Sequence, residues 1–364
     1  VKKRTLAILI GLLVCAVAVQ TVGSHASGPR TFSIHSKLGI HGIRPDGILG
    51  FVQNAVDGGT RFSVVKAVDD LSYLAAVKDA SLDSITVGRF THEHEGAGLV
   101  NDPNTNLEWY AGVIMDVILD KIDHEPELAG VVDYWEPINE PLGGGTSAAV
   151  YARLARLMIY CMDIADQHGL KLALFSFNAG TPEWVDMEAI VATGVFARAK
   201  AVGHILAAHE GVFGNDPIDR FFPGLIPGAP DIPNAGALCG RYRFLYHLLK
   251  QRDEVVPLFI SEFYAGGGYG DGADLNDIVQ RMVWYDNLLR GDGYALGFAP
   301  FTLGPTSQWV NQNYEFAYPA LVEYMIGVAN SELVWLPLVA SGRLNLEAGD
   351  ADAAMLPRRY PGEP

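Results

Sequence analysis

Short apolar runs and longer stripes of helical spacing alternate along this chain from about residue 38 to residue 328. The runs at 38–43, 62–68, 84–89, 131–138, 170–177, 204–208, 257–261 and 296–301 read as strands. Helices are expected between and after them at 48–56, 71–79, 107–122, 148–168, 183–199, 238–252, 276–290 and 319–328. The stripe in 148–168 is the clearest. Val150, Leu154, Leu157, Met158, Cys161 and Ile164 recur at helical spacing, and Arg153, Arg156 and Asp163 fall off it. Gly169 then stops the helix, and an apolar strand begins at once. The helix at 183–199 is expected to open at Thr181-Pro182-Glu183, a cap followed by proline.

Strands such as 170–177 are largely apolar rather than alternating, as parallel strands covered on one side by helices and packed inside a barrel are. Strict alternation of strand and helix predicts a parallel α/β sheet, and eight repeats predict closure into a (β/α)8 TIM barrel. An open doubly wound sheet is the competitor. Against it, no G-x-G-x-x-G follows the first strand, and Gly266-Gly267-Gly268 comes too late and lacks that pattern. The glycine- and proline-rich stretch 211–236 is an insertion after the sixth strand, a candidate rim or lid loop or simply a surface loop.

Composition narrows the partners. The chain of 364 residues is 49% hydrophobic and carries a formal charge of −16, which disfavours nucleic acid and suits a neutral or weakly charged substrate. Lys2, Lys3 and Arg4 precede an apolar run from Leu6 to Val19, and Ser24-His25-Ala26 follow, the pattern of a secretory signal over residues 1–26. The run is shorter than the roughly 18 residues of a membrane span, so a membrane is a partner only if the signal stays uncleaved. Cleavage removes three basic and no acidic side chains, taking the charge to −16 − 3 = −19. The expected layout is thus a signal at 1–26, a catalytic domain at 27–340 and a polar tail at 341–364, in a protein exported to the cell surface or beyond. Cys161 and Cys239 remain after the signal, both expected in helices as small buried hydrophobes; export permits a bridge that sequence cannot place.

Candidate chemistry sits at two strand ends. Residues 131–141 read VVDYWEPINEP, and Pro141 cannot extend a strand, which places Glu140 at the end of the fourth strand. In PLFISEFYAGG, Glu262 ends the seventh strand before a glycine-rich turn. In a barrel all strands open their C-terminal ends on one face, where barrel enzymes keep their chemistry, so closure would bring the two carboxylates together. The plainer reading makes Glu140 a helix cap and Glu262 half of a structural ion pair.

On these residues the chain resembles the clan A, or 4/7 superfamily, retaining glycoside hydrolases, cellulase-like TIM barrels. Their fourth strand ends in Asn-Glu-Pro, and their seventh ends in a nucleophilic glutamate within an S-E-F-G-like sequence. Trp135 to Pro141 is close to the W-E-x-x-N-E-P form of the motif. The resemblance implies hydrolysis of an oligo- or polysaccharide with β-linkages, without a cofactor. It makes Glu140 the general acid/base, protonated at rest, and Glu262 the ionised nucleophile. Two nearby carboxylates cannot both ionise cheaply, which would raise one pKa as a general acid requires. Retention would set the carboxyl groups roughly 5–5.5 Å apart. Asn139 would bind the sugar 2-OH.

Further candidates surround the pair. His209 follows the sixth strand, where family members carry His-x-Tyr; here the sequence is His209-Glu210-Gly211 and that tyrosine is absent, with Tyr264 or a loop tyrosine as a replacement. Arg89, ending the third strand, either holds the nucleophile ionised or pairs structurally. The family's tryptophan after strand eight is missing; Phe298 and Phe301 occupy the strand, and Trp309 comes later. His92 and His94, in His92-Glu93-His94-Glu95, are read as substrate-binding; with His41 and His209 they also spell a metal site, but such pairs in barrel hydrolases usually follow strand one, so no metal is assigned. Two alternatives stay open beside the retaining hydrolase: a glycan-binding barrel with impaired catalysis, and a metal-dependent hydrolase. The sugar, endo or exo action and oligomeric state are not legible.

Overall fold

The structure is a computed structural model that describes residues 35–212, 226–266 and 274–330. The signal-like segment 1–26, the tail 341–364 and residues 213–225 of the insertion lie outside the described residues.

Eight parallel strands alternate with helices. The strands are β1 (Ile40–Gly42), β2 (Val64–Val68), β3 (Ile85–Arg89), β4 (Tyr134–Glu136), β5 (Ala173–Phe177), β6 (Ile205–Val212), β7 (Leu258–Ala265) and β8 (Ala295–Pro300). The helices are α1 (Ile48–Asp57), α2 (Leu74–Ala80), α3 (Leu107–His124), α4 (Leu128–Val131), α5 (Ala148–Gln167), α6 (Trp184–Val191), α7 (Val195–Val202), α8 (Tyr242–Gln251), α9 (Leu275–Arg290) and α10 (Tyr318–Ala329). Continuous ladders run through β1-β2-β3-β4 and β5-β6-β7-β8. Parallel bridges close both seams, Trp135 to Leu172 on one side and Leu38 to Phe298 and Gly42 to Leu303 on the other. The sheet is therefore a closed barrel, as the eight repeats predict.

Period-two alternation sorts each strand's side chains. Val64, Val87, Ala173, Ile205, Ala207, Phe259 and Ala299 form a separate buried cluster that fills the barrel, with Ile85, Tyr134 and Leu296 packed against it. Their strand neighbours pack outward among the helices in the larger core. Of the α5 stripe, Leu154, Leu157, Met158 and Cys161 are buried, while Val150 and Ile164 are only partly so.

Three expectations about the helices change. The helix at 183–199 is two helices, α6 and α7, because Gly194 takes φ 80° and starts a new one. Thr181 is not the cap: α6 begins at Trp184, and Asp186 Oδ2 accepts the Glu183 N–H at 3.0 Å. Cys239 precedes α8 rather than lying within it; Cys161 and Cys239 are both free and buried. Among the described residues no helix is long and apolar enough to cross a membrane.

Candidate active site

Two residues beyond the apolar filling, the barrel interior changes character. Val64 is followed at the next inward position by Lys66, Val87 by Arg89, Tyr134 by Glu136 and Ala207 by His209. On β7 the step is three residues, Phe259 to Glu262. Ala208 pairs with Ile260 but His209 pairs with Glu262, so Ser261 is the extra residue of a bulge. The bulge shifts the alternation and brings Glu262 and Tyr264 inward, with Phe263 packed outward.

Glu140 reaches the same space by another route. β4 ends at Glu136, four residues earlier than the sequence suggests. Pro137, not Pro141, ends the ladder, since it has no N–H to give. Glu140 lies in the following loop at φ 46°, a left-handed conformation that costs a non-glycine residue about 1–2 kcal/mol. Its N–H donates to Ser176 O at 3.0 Å. Ser176 and Phe175 also have positive φ, 43° and 77°, at an irregularity in β5. The β5 distortion thus turns a carbonyl towards the loop and docks Glu140 over the barrel mouth. Asn139 N–H donates to Glu95 O at 2.9 Å, while Asn139 Oδ1 is buried with no hydrogen-bond partner among the described residues.

The two glutamates meet around His209 and Tyr264. One ligand atom each from Glu140, His209 and Glu262 lie within 4.8 Å of one another. His209 Nδ1 is 3.0 Å from Glu140 Oε1 and 3.6 Å from Glu262 Oε2. Tyr264 donates its hydroxyl to Glu262 Oε2 at 2.6 Å and lies 3.4 Å from Glu140 Oε1. The carboxylates differ in access: the Glu140 side chain is 37% exposed and that of Glu262 only 5%.

Glu262 is ringed by nitrogen. Lys66 Nζ lies 3.4 Å from its Oε1, His41 Nε2 3.5 Å and Arg89 Nη1 3.8 Å. Burial pushes the carboxyl pKa up, but His209, Lys66 and His41 outweigh it and hold the group well below the usual carboxylate range. Arg89 is farther away than Lys66, and its other arm pairs with Glu95 at 3.5 Å. His41 is lowered to about 4 by burial and by Lys66, so it faces the carboxylate as a neutral ring. Its Nδ1 is 2.8 Å from Thr302 Oγ1. Tyr264 is raised well above its ordinary value by burial and the two carboxylates, so it remains a hydroxyl donor.

The missing tyrosine has a steric explanation. A Cβ at Gly211 would lie 2.2 Å from Tyr264 O, and Gly211 has φ 113°. No side chain fits there, and the neighbouring strand supplies the phenol instead. Trp309 sits at the rim, 36% exposed, edge-on to Phe301 at 5.2 Å. Phe301, at the end of β8, in turn packs against both Tyr264 and His41.

His92 and His94 are placed otherwise. His92 Nε2 meets Pro137 O at 3.2 Å, at the start of the loop that carries Glu140, and its Nδ1 accepts the His94 N–H at 3.3 Å within its own loop. His94 contacts Glu93 and the edge of Tyr110. The Glu140, His209 and Glu262 atoms are spaced to grip an ion, yet a divalent cation there would stand against Lys66 and Arg89, two cations already facing Glu262. The donor set fits a carboxylate kept ionised by protein cations better than a metal centre.

Sequence reading overlooked Lys66 and Glu136. Lys66 is fully buried and pairs with Glu136 Oε2 at 2.7 Å. Burial pushes Glu136 up, but Lys66 and then Arg89 bring it below its usual value. A lysine inside the apolar run FSVVKAV was the available signal, because a buried ammonium requires a partner.

No family model matches the chain, and no curated protein does. Among solved structures it is similar to an endo-β-1,3-glucanase of family GH128, subgroup II, from Pseudomonas viridiflava, at 16% identity over 78% of this chain and 96% of that one, TM-score 0.39. It is also similar to an endo-β-1,4-glucanase from Xanthomonas axonopodis pv. citri, at 11% identity over 80% of this chain and 99% of that one, TM-score 0.43. A third is a family 39 glycoside hydrolase from Bacteroides cellulosilyticus, at 13% identity over 82% of this chain and 64% of that one, TM-score 0.48.

Proposed function

We propose that this protein is a retaining glycoside hydrolase acting on a β-linked glycan by double displacement. The observation that carries the reading is the pair of glutamates at the barrel mouth, an oxygen of each within 4.8 Å of the other. A closest approach of that size is compatible with the roughly 5–5.5 Å between the carboxyl groups of retaining enzymes, whereas inverting pairs stand roughly 6.5–9.5 Å apart.

Glu262 is the nucleophile. It is shielded, ionised and held at both oxygens, Oε2 by Tyr264 and Oε1 by Lys66. Glu140 is the acid/base: its greater exposure lets it protonate the departing oxygen and later take a proton from the attacking water. His209, 3.0 Å from Glu140, sets the orientation of that carboxyl. Asn139 offers its unpartnered Oδ1 to a sugar hydroxyl, and Trp309, exposed beside Phe301, offers ring surface. The impaired, glycan-binding alternative rests on the absent tyrosine after His209 and on the missing tryptophan after strand eight; the phenol of Tyr264 on Glu262 weakens the first of these. Export is part of the reading, on the signal-like pattern of residues 1–26.

A panel of aryl β-glycosides and β-glucans identifies the sugar, and proton NMR of the first-formed product reads its anomeric configuration. Retention is expected. An inverted product from the same enzyme contradicts the assignment of Glu262.

A further inference from the structure

We propose that Lys66 is a positioning residue for Glu262 and that Glu136 is its resident counter-ion. The role rests on the reading of Glu262 as nucleophile. Lys66 on β2 reaches across the barrel interior to β4 and β7, which are not its neighbours in the sheet. Its Nζ pairs with Glu136 at 2.7 Å and donates to Glu262 Oε1 at 3.4 Å, with no exposed surface on the lysine or on Glu136. Tyr264 takes the other oxygen of Glu262, so donors from two strands fix the plane of one carboxylate.

The consequence appears when Glu262 loses its charge. On attack, a Glu262 oxygen bonds to the anomeric carbon while the bond to the leaving oxygen breaks and Glu140 supplies its proton. Lys66 then faces an ester, yet Glu136 still balances it. When water attacks, its oxygen bonds to the anomeric carbon and its proton passes to Glu140. The ester electron pair returns to Glu262 against an ammonium already in place. A lysine paired to Glu262 alone would lose its counter-charge in the intermediate, an expensive state for a buried cation. Glu136 prevents that.

The other groups facing Glu262 are His41 from β1, Arg89 from β3, Glu140 from the loop after β4, and His209 and Tyr264 from β6 and β7. Glu95 faces it through Arg89. The double variant Lys66→Gln/Glu136→Gln leaves all of them in place and removes one positive and one negative charge together. Carbon-13 NMR of glutamate side chains in the full chain, with Glu262→Gln assigning the signal, follows the ionisation of Glu262 without any turnover. Its midpoint is expected to rise by about one pH unit or more in the double variant. With a turned-over aryl glycoside, the acid limb of the rate profile moves up with it, and glycosyl-enzyme accumulates as its breakdown slows. A midpoint unchanged from wild type overturns the proposal. Should the double variant not fold, Lys66→Met/Glu136→Leu is read in the same way; failure of both to fold assigns the pair to the core and overturns it too. A raised midpoint in a protein that hydrolyses no glycoside keeps Lys66 in this role and rejects the reaction. An unchanged midpoint in an active enzyme does the reverse.

Discussion

Glu262 and Glu210 are two buried glutamates on adjacent strands, one inside the barrel and one outside it. Burial pushes both pKa values up. Around Glu210 the partners are neutral donors: Gly240 N–H at 2.6 Å, Tyr242 N–H at 3.0 Å and the Tyr285 hydroxyl at 2.7 Å. They do not cancel the burial, and the carboxyl is raised from 4.5 to about 7. Around Glu262 the partners are His209, Lys66, a hydrogen bond from the neutral His41 ring, and Arg89, and the balance reverses to well below 4.5. Equal burial therefore says nothing about ionisation; the sign of the neighbours decides it. Glu210 ties β6 to the start of α8, a structural task, while the neighbouring His209 points the other way, towards Glu140 and Glu262.

The largest effect separates the two by activity. Glu262→Gln should lower turnover by a factor on the order of 10⁴, with the fold intact, since it removes the attacking carboxylate but leaves Lys66 with Glu136. Glu210→Ala should do the opposite. It strands two buried N–H groups and a phenol, and urea unfolding should show a loss of about 2–4 kcal/mol with the chemical step still operating. Comparable stability loss from both variants would erase the distinction.

Dependence on pH sharpens it. Folded Glu210 keeps a proton that the unfolded chain releases above about 4.5, so its contribution to stability is lost as pH rises through about 7. Glu262 is the mirror case: its contribution is present above 4.5 and lost as pH falls through its lower folded value. Melting temperatures of Glu210→Gln and Glu262→Gln, compared with wild type, should therefore diverge at opposite ends of the pH range. The smallest effect is that of Tyr264→Phe. Losing one hydrogen bond to a charged oxygen should slow turnover by about 10- to 100-fold, with a higher acid limb. Unchanged kinetics would return Tyr264 to packing.

The barrel was legible because eight apolar runs alternate with helical stripes, and only the seams needed structure to show them joined. The motifs of Glu140 and Glu262 mark both as candidates, but the strand ends beside them were misplaced: β6 runs past His209 to Val212, and β7 runs past Glu262 to Ala265. The surroundings of the two glutamates were less legible, for local reasons. The proline that ends β4 is Pro137, and two prolines four residues apart make either choice reasonable on paper. The bulge at Ser261 leaves no mark in the hydrophobic pattern, yet it decides that Glu262 rather than its neighbour faces inward. Lys66 stood in view within an apolar run, but the period of two does not say which face is the barrel's interior. Gly211 read as a lost tyrosine because the approach of Tyr264's backbone, which forbids a side chain there, is a tertiary fact.

The central claim is that Glu262 attacks the sugar. An aryl 2-deoxy-2-fluoro glycoside of whichever sugar the enzyme turns over slows breakdown of the intermediate, so intact mass followed by peptide mapping locates the attacking group. The account predicts one sugar per chain, on the peptide carrying Glu262, and none on the Glu262→Gln variant. A sugar attached to another residue, or none on an enzyme that rapidly hydrolyses the unfluorinated glycoside, would contradict it.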